Sequence, residues 1–168
     1  MTDEKSSLVK LAVIGAIDAG KSSLIAKLVS GAFIDQSVAE GVDLASWMIS
    51  VDEFTSIEAA LFEFDEHEDF KFFQAAAVTG AKIALIVFDC SSFESLLAVE
   101  EWVGMVSNLP RARKLFVGTK LDLCGDVDYD AIHEITSRHG IDFLLVSAKE
   151  GTNIGTLAQR LSEMAQRL

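Results

Sequence analysis

Apolar positions along this chain fall into two rhythms, a strand-like run and a helix-like spacing, and they take turns. "LVKLAVI" (8–14) is a short, β-branched-rich run ending at Gly15 and predicts a buried strand. "SSLIAKLV" (22–29) follows with helical spacing, apolar at Leu24, Ile25, Leu28 and Val29. "LASWMISV" (44–51) and "SIEAALFEF" (56–64) flank "DEFT" and predict an antiparallel hairpin. "AKIALIVFD" (81–89) is apolar throughout, as a strand covered on both faces requires. A serine-rich cap at Ser92 opens a helix over 93–108, ended by Pro110. "KLFVGT" (114–119) predicts a strand, "YDAIHEITSRH" (129–139) a helix stopped by Gly140, "DFLLVS" (142–147) a last strand, and 153–168 an amphipathic helix. The order β-α-β-β-α-β-α-β-α-β-α predicts an α/β domain over 1–168. Its sheet would be six-stranded and mostly parallel, with helices on both faces. Ligands of such sheets bind at the carboxyl ends of the strands.

Composition narrows the function. The 168 residues suit one domain with a sizeable core. The two cysteines, Cys90 and Cys124, lack C-x-x-C spacing and are expected as buried reduced thiols rather than metal ligands. No apolar stretch approaches the roughly 20 residues that span a bilayer, and the polar start "MTDEKSS" is not a signal peptide. Thr2 excludes myristoylation, and "AQRL" offers no cysteine to a prenyl group. The expectation is a cytoplasmic domain without direct membrane insertion, reaching membranes only through a partner or a tail outside this chain. A net charge of −12 disfavours nucleic acid. The charge is also lopsided: Leu28 to Phe70 holds 11 acidic residues and no lysine or arginine. Such a face steers towards basic protein partners, although solubility alone would also account for the overall sign.

"GAIDAGKS", Gly15 to Ser22, satisfies G-x-x-x-x-G-K-S/T between a predicted strand and a predicted helix, the context that phosphate loop requires. Its amides and the helix N-terminus would face a diphosphate. Lys21 would reach the β- and γ-phosphates, and Ser22 would ligate Mg2+.

The loop does not name the base. "GTKLDL" (118–123) and "VSAKEGTN" (146–153) do, since both begin at the carboxyl ends of later strands. With these the chain resembles the Ras superfamily of small GTPases, whose base-reading motifs are N/T-K-x-D and S-A-K. It is most similar to Rab-type proteins, through "EGVDLA" and "GAKIALIVFD". The resemblance implies GTP or GDP with Mg2+ as cofactors. Gly15, Asp18, Ala19, Gly20, Lys21, Ser22 and Ser23 would line the phosphates, and Thr119, Lys120, Asp122, Ser147, Ala148 and Lys149 the base. Asp122 would accept from guanine N1 and N2, the Ala148 amide would donate to O6, and the stems of Lys120 and Lys149 would cover base and ribose. Phe33 falls where the family sets an aromatic against guanine, a position a loop or core phenylalanine would equally fill.

The family senses the γ-phosphate through a threonine in one loop and D-x-x-G-Q in another. Counted without gaps, Glu63 takes the place of that Asp, Glu66 of the Gly and His67 of the Gln. Ala39 aligns with the threonine if one residue is missing, whereas Glu40 or Ser37 would under other alignments. A rival register brings in Asp65 after two deletions. Glu63 would hold Mg2+ through a water, one methylene longer than Asp. Glu66 would set a charge ~5 Å from the phosphate, a repulsion of roughly 3 kcal/mol at an effective dielectric near 20. His67 would either orient water as the catalytic residue or be an exposed loop histidine. Ile17 would crowd the γ-phosphate, and Asp18 would add a second negative charge.

These residues predict a guanine-nucleotide-binding protein with impaired hydrolysis and a weakened switch, acting through protein contacts. Two other expectations stand beside it. One is a pseudo-GTPase that binds no nucleotide and serves as a structural subunit. The other is an active GTPase whose site a partner completes.

Overall fold

The computed structural model describes residues 7–16, 18–30, 43–51, 53–63 and 78–168. Its six strands are β1 (Ser7–Gly15), β2 (Asp43–Ser50), β3 (Thr55–Glu63), β4 (Ile83–Asp89), β5 (Lys114–Thr119) and β6 (Phe143–Leu145). They form one sheet in the order β2-β3-β1-β4-β5-β6. Only β2 and β3 pair antiparallel, with Asp43 opposite Glu63 and Ser50 opposite Ser56. The expected six-stranded, mostly parallel sheet is therefore present. Four described helices accompany it: α1 (Lys21–Ser30), α2 (Phe93–Met105), α3 (Tyr129–His139) and α4 (Ile154–Gln166). The helix implied between β3 and β4 would fall in 64–77, outside the described residues.

Strand alternation sorts the core into two layers. Leu11 and Val13 of β1, Leu85 and Val87 of β4, and Leu115 and Val117 of β5 face Leu24 and Ile25 of α1 and Leu157 and Leu161 of α4. The intervening Ala12, Ile14, Ala84, Ile86, Phe88 and Phe116 face Leu96, Val99 and Trp102 of α2 and Ile132 and Ile135 of α3. Both faces are thus filled by the same strands, which is why "IALIVF" contains no polar residue.

Helix ends follow local chemistry. The Ser92 hydroxyl accepts from the Ser95 amide at the start of α2, and the Asp128 carboxylate accepts from the Ala131 amide at the start of α3. Gly140, at φ 64°, ends α3 in the left-handed conformation. α2 stops at Met105, earlier than its apolar spacing suggests. Val106 and Leu109 donate to Val103 and Val106 in turns that lead into Pro110, whose ring disfavours helix in the residue before it. β6 is shorter than the predicted 142–147 because Ser147 leaves the sheet to pair with Thr152. No helix among the described residues is long and apolar enough to cross a membrane.

Candidate functional site: a phosphate loop clasped to a base-reading loop

β1 delivers the phosphate loop to the carboxyl edge of the sheet. Gly15, its last residue, lies so close to β4 that a Cβ would stand 2.1 Å from the Val87 carbonyl oxygen. Only glycine allows that approach. The chain then turns through Ala19, whose amide donates to the Ala16 carbonyl at 3.2 Å, and enters α1 at Lys21. Asp18 is exposed and adopts φ 60°, a left-handed conformation that aspartate tolerates better than most residues.

Lys21 is buried, at 4% exposure, and its ammonium turns back into the loop. Nζ donates to the carbonyls of Gly15 at 3.0 Å and Ala16 at 2.7 Å. Ser22 is also buried and Ser23 half-buried in the first turn of α1. A helix's first-turn amides point out of its N-terminus, so the turn that carries these hydroxyls also presents partial positive charge.

The second half of the site grows from β5. Gly118 packs where a Cβ would meet Leu145 Cδ2 at 2.5 Å and Phe88 Cζ at 2.8 Å. Thr119, 3% exposed, shares its hydroxyl proton between the carbonyls of Ala19 and Phe88, the latter at 3.2 Å. Lys120 takes a left-handed conformation, φ 58°, and sends Nζ to the Asp18 carbonyl at 2.6 Å and to Asp89 Oδ2 at 3.1 Å. Two side chains from one loop therefore grip the other loop about a hundred residues away.

Asp122 sits in the 3-10 turn Leu121–Leu123, held beside the end of β6 by the Leu121 amide donating to the Val146 carbonyl at 3.1 Å. The Ser147 hydroxyl donates to Asp122 Oδ1 at 2.7 Å and accepts from the Glu150 amide at 3.1 Å. Ser147 is fully buried, Ala148 buried and Lys149 exposed. Asn153 steadies the following turn by donating from Nδ2 to the Leu145 carbonyl at 2.8 Å.

The structure brings together Gly15, Asp18, Ala19, Gly20, Lys21, Ser22 and Ser23 on one side, and Thr119, Lys120, Asp122, Ser147, Ala148 and Lys149 on the other. Glu63 is the last residue of β3. It lies two beyond Leu61, whose partner on β1 is Val13, so its backbone reaches the level of Gly15. Ile17, Phe33, Ser37, Ala39, Glu40, Asp65, Glu66 and His67 lie outside the described residues. Sequence reasoning missed Asp89, the ion partner of Lys120. Its position as the last residue of a strand, at the edge where ligands bind, was the available signal.

A guanine nucleotide and Mg2+ can be weighed against this arrangement. Asp122 is oriented by a buried hydroxyl and offers its remaining lone pairs outward, which suits two adjacent donors. A buried ammonium and a helix N-terminus suit a diphosphate. Among the described residues no group of three or more His, Cys, Asp or Glu could hold a metal. Ser22 is then the one side chain proposed to ligate Mg2+ directly, with Glu63 proposed to act through a water, which leaves most of the coordination to phosphate oxygens and water. The residues fit the group.

The comparisons with known proteins agree. The Ras family model matches residues 10–167. The chain is 28% identical to Ras-related protein Rab-1D of Dictyostelium discoideum, over 92% of this chain and 78% of that protein. It is 29% identical to GTP-binding protein YPTM1 of Zea mays, with 92% and 76% covered, and 30% identical to Ras-related protein RABD1 of Arabidopsis thaliana, with 92% and 77% covered. Ras-family GTPases bind guanine nucleotide and Mg2+. The chain belongs to the Ras family, with a Rab-like small-GTPase domain.

Proposed function

We propose that this protein binds guanine nucleotide tightly at the base and diphosphate but distinguishes GTP from GDP poorly, hydrolyses GTP slowly or not at all, and works through protein contacts. The observation that carries the nucleotide part is the clasp of Thr119 and Lys120 on the Ala19 and Asp18 carbonyls. It ties the base-reading loop to the phosphate loop at a fixed separation, and restraint of that kind favours binding of a ligand that spans both.

Asp122, steadied by Ser147, accepts the two guanine donors, and the Ala148 amide donates to O6. An adenine presents a donor there, so the pair selects guanine. Lys21 and the amides of the loop would meet the phosphates, Ser22 would ligate Mg2+, and Glu63 would hold it through a water. Mg2+, when bound with the nucleotide, supplies positive charge against the phosphate oxygens.

The weakened switch rests on residue types. Ala39 brings no oxygen to the metal, Glu66 brings a negative side chain where the family has glycine, and Ile17 and Asp18 replace small residues. A ligand shifts a conformational equilibrium only by its differential affinity for the two states. With the γ-phosphate contacts replaced, that difference shrinks. The acidic stretch 28–70 then serves as a docking face for a basic protein partner. The active-GTPase reading makes His67 the water-orienting catalytic residue, and single-turnover hydrolysis lost in His67→Ala would establish it instead.

Calorimetry of nucleotide-stripped protein with GDP and a non-hydrolysable GTP analogue, with and without Mg2+, tests the proposal. Similar affinities for both, each lost in Lys21→Ala, are expected. A strong Mg2+-dependent preference for the triphosphate would overturn the weakened switch. Binding of neither nucleotide would favour the pseudo-GTPase.

A further inference from the structure

Beside the base-reading loop lie two thiols to which the nucleotide site gives no role, Cys90 at the margin of the core and Cys124 outside it. Cys90 directly follows β4, and Cys124 follows the turn that carries Asp122. Sequence alone suggests buried thiols, but both are half-buried and free. A cleft of about 440 Å³ opens over them, lined also by Phe88, Leu96, Asp126 and Asp128.

The two cysteines adjoin. Cys124 Sγ donates to the Cys90 carbonyl at 3.3 Å, which sets its sulfur beside the Cys90 backbone. The Cys90 amide donates to the Thr119 carbonyl at 3.0 Å, so the two segments already run at the spacing of paired strands. A disulfide needs Cα atoms within ~4.4–6.8 Å and, once the backbone provides that spacing, side-chain rotation to bring the two sulfurs to about 2.05 Å.

We propose that Cys90 and Cys124 form a dithiol site that exchanges with cationic low-mass disulfides entering this cleft, closing an internal disulfide between the β4 end and the base-reading loop. In the first step the Cys124 thiolate attacks one sulfur of the reagent RSSR; a Cys124 S–SR bond forms and one RS⁻ leaves. In the second, Cys90 gives its proton to solvent and attacks Cys124 Sγ, breaking that S–SR bond and expelling the second RS⁻. Two protein thiols are oxidised, and one reagent disulfide is reduced to two thiols.

Burial, followed by the neighbouring Cys124, pushes the Cys90 thiol up to about 12. It is therefore a poor entry nucleophile and reacts only once its partner sits beside it as an electrophile. The reagent class follows from the lining, which contains Asp126 and Asp128 and no lysine or arginine. The consequence for the nucleotide rests on the function proposed above. Cys124 is two residues past Asp122, and Cys90 adjoins Asp89, which holds Lys120 at 3.1 Å. A bond between them restrains the loop that must give way for a base to leave.

The test treats reduced protein with cystamine at neutral pH and reads intact mass and peptide maps. A loss of two hydrogens with a Cys90–Cys124 linked peptide is expected. Cys90→Ser and Cys90→Ala should each stop at one cysteamine adduct on Cys124. Cys124→Ser should react at least about tenfold more slowly. Oxidised glutathione, which is anionic, should react more slowly than cystamine at low salt, with the gap closing as salt rises. A stable double adduct, a disulfide-linked dimer or a fully reactive Cys124→Ser protein would overturn the site, and equal rates for the two reagents would overturn the cationic preference. GDP release severalfold slower from oxidised protein is the second readout, and equal release overturns the coupling. The mass readout needs no nucleotide, so loss of GDP binding from both forms would count against the proposed function alone.

Discussion

The two ends of the candidate site are built differently. At the base end Thr119, Lys120, Asp122 and Ser147 are braced by partners distant in sequence. Ser147 holds Asp122 at 2.7 Å, Val146 holds Leu121, and Asp89 holds Lys120. At the phosphate end Lys21 turns back into its own loop, to Gly15 and Ala16, and Asp18 stands exposed in a left-handed conformation. On the function proposed above, Ala39, Glu66 and His67 stand in sequence where the family has its γ-phosphate groups. That proposal makes base recognition and phosphate sensing separable: a chain can keep the braced half and alter the half that would report which nucleotide is bound.

The sharpest way to break that contrast is Asp122→Ala. If the base end supplies most of the selectivity, losing two hydrogen bonds to a charged acceptor costs about 3 kcal/mol or more, roughly a hundredfold in GDP affinity. Calorimetry reads it directly, and circular dichroism confirms that the fold persists. A loss of less than tenfold would mean that phosphate contacts dominate and the contrast is misdrawn.

Next in size is the floor beneath the base loop. In Gly118→Ala the new methyl would lie 2.5 Å from Leu145 Cδ2 and 2.8 Å from Phe88 Cζ. Both neighbours are buried, so overpacking should destabilise the fold by about 2 kcal/mol. Denaturant unfolding measures it, with the midpoint falling and the slope unchanged. A neutral result would show that Phe88 and Leu145 yield easily and that the base end is less rigid than its contacts suggest.

How far all this was legible in the sequence depends on range. "IALIVF" and "KLFVGT" announce strands covered on both faces because burial demands it locally, and the Gly15–Ser22 motif carries its own strand and helix. Asp122 and Ser147 are legible as motif members. What stayed hidden were bonds across long separations: Lys120 to Asp18 and Asp89, Thr119 to Ala19, and the meeting of Cys90 with Cys124. No periodicity encodes these, since they arise only once β1, β4 and β5 lie side by side. The ends of α2 and β6 were misjudged for a related reason, because apolar spacing continues past points where turn bonds and the Ser147–Thr152 pair take over.

The smallest expected effect sharpens the phosphate half. Asp18 combines a left-handed backbone with a carboxylate near the phosphates, and Asp18→Gly removes both features while leaving the backbone carbonyl that accepts from Lys120. Glycine adopts that conformation without a Cβ penalty. An exposed charge several ångströms from the phosphates repels only weakly through water, so affinity should rise by roughly twofold. The direction carries the argument. GDP and the GTP analogue should gain alike, because the charge disfavours phosphate in general and does not read the terminal one. A larger gain for the triphosphate would place Asp18 among the residues that suppress γ-phosphate sensing, and the weakened switch would then begin in the phosphate loop itself.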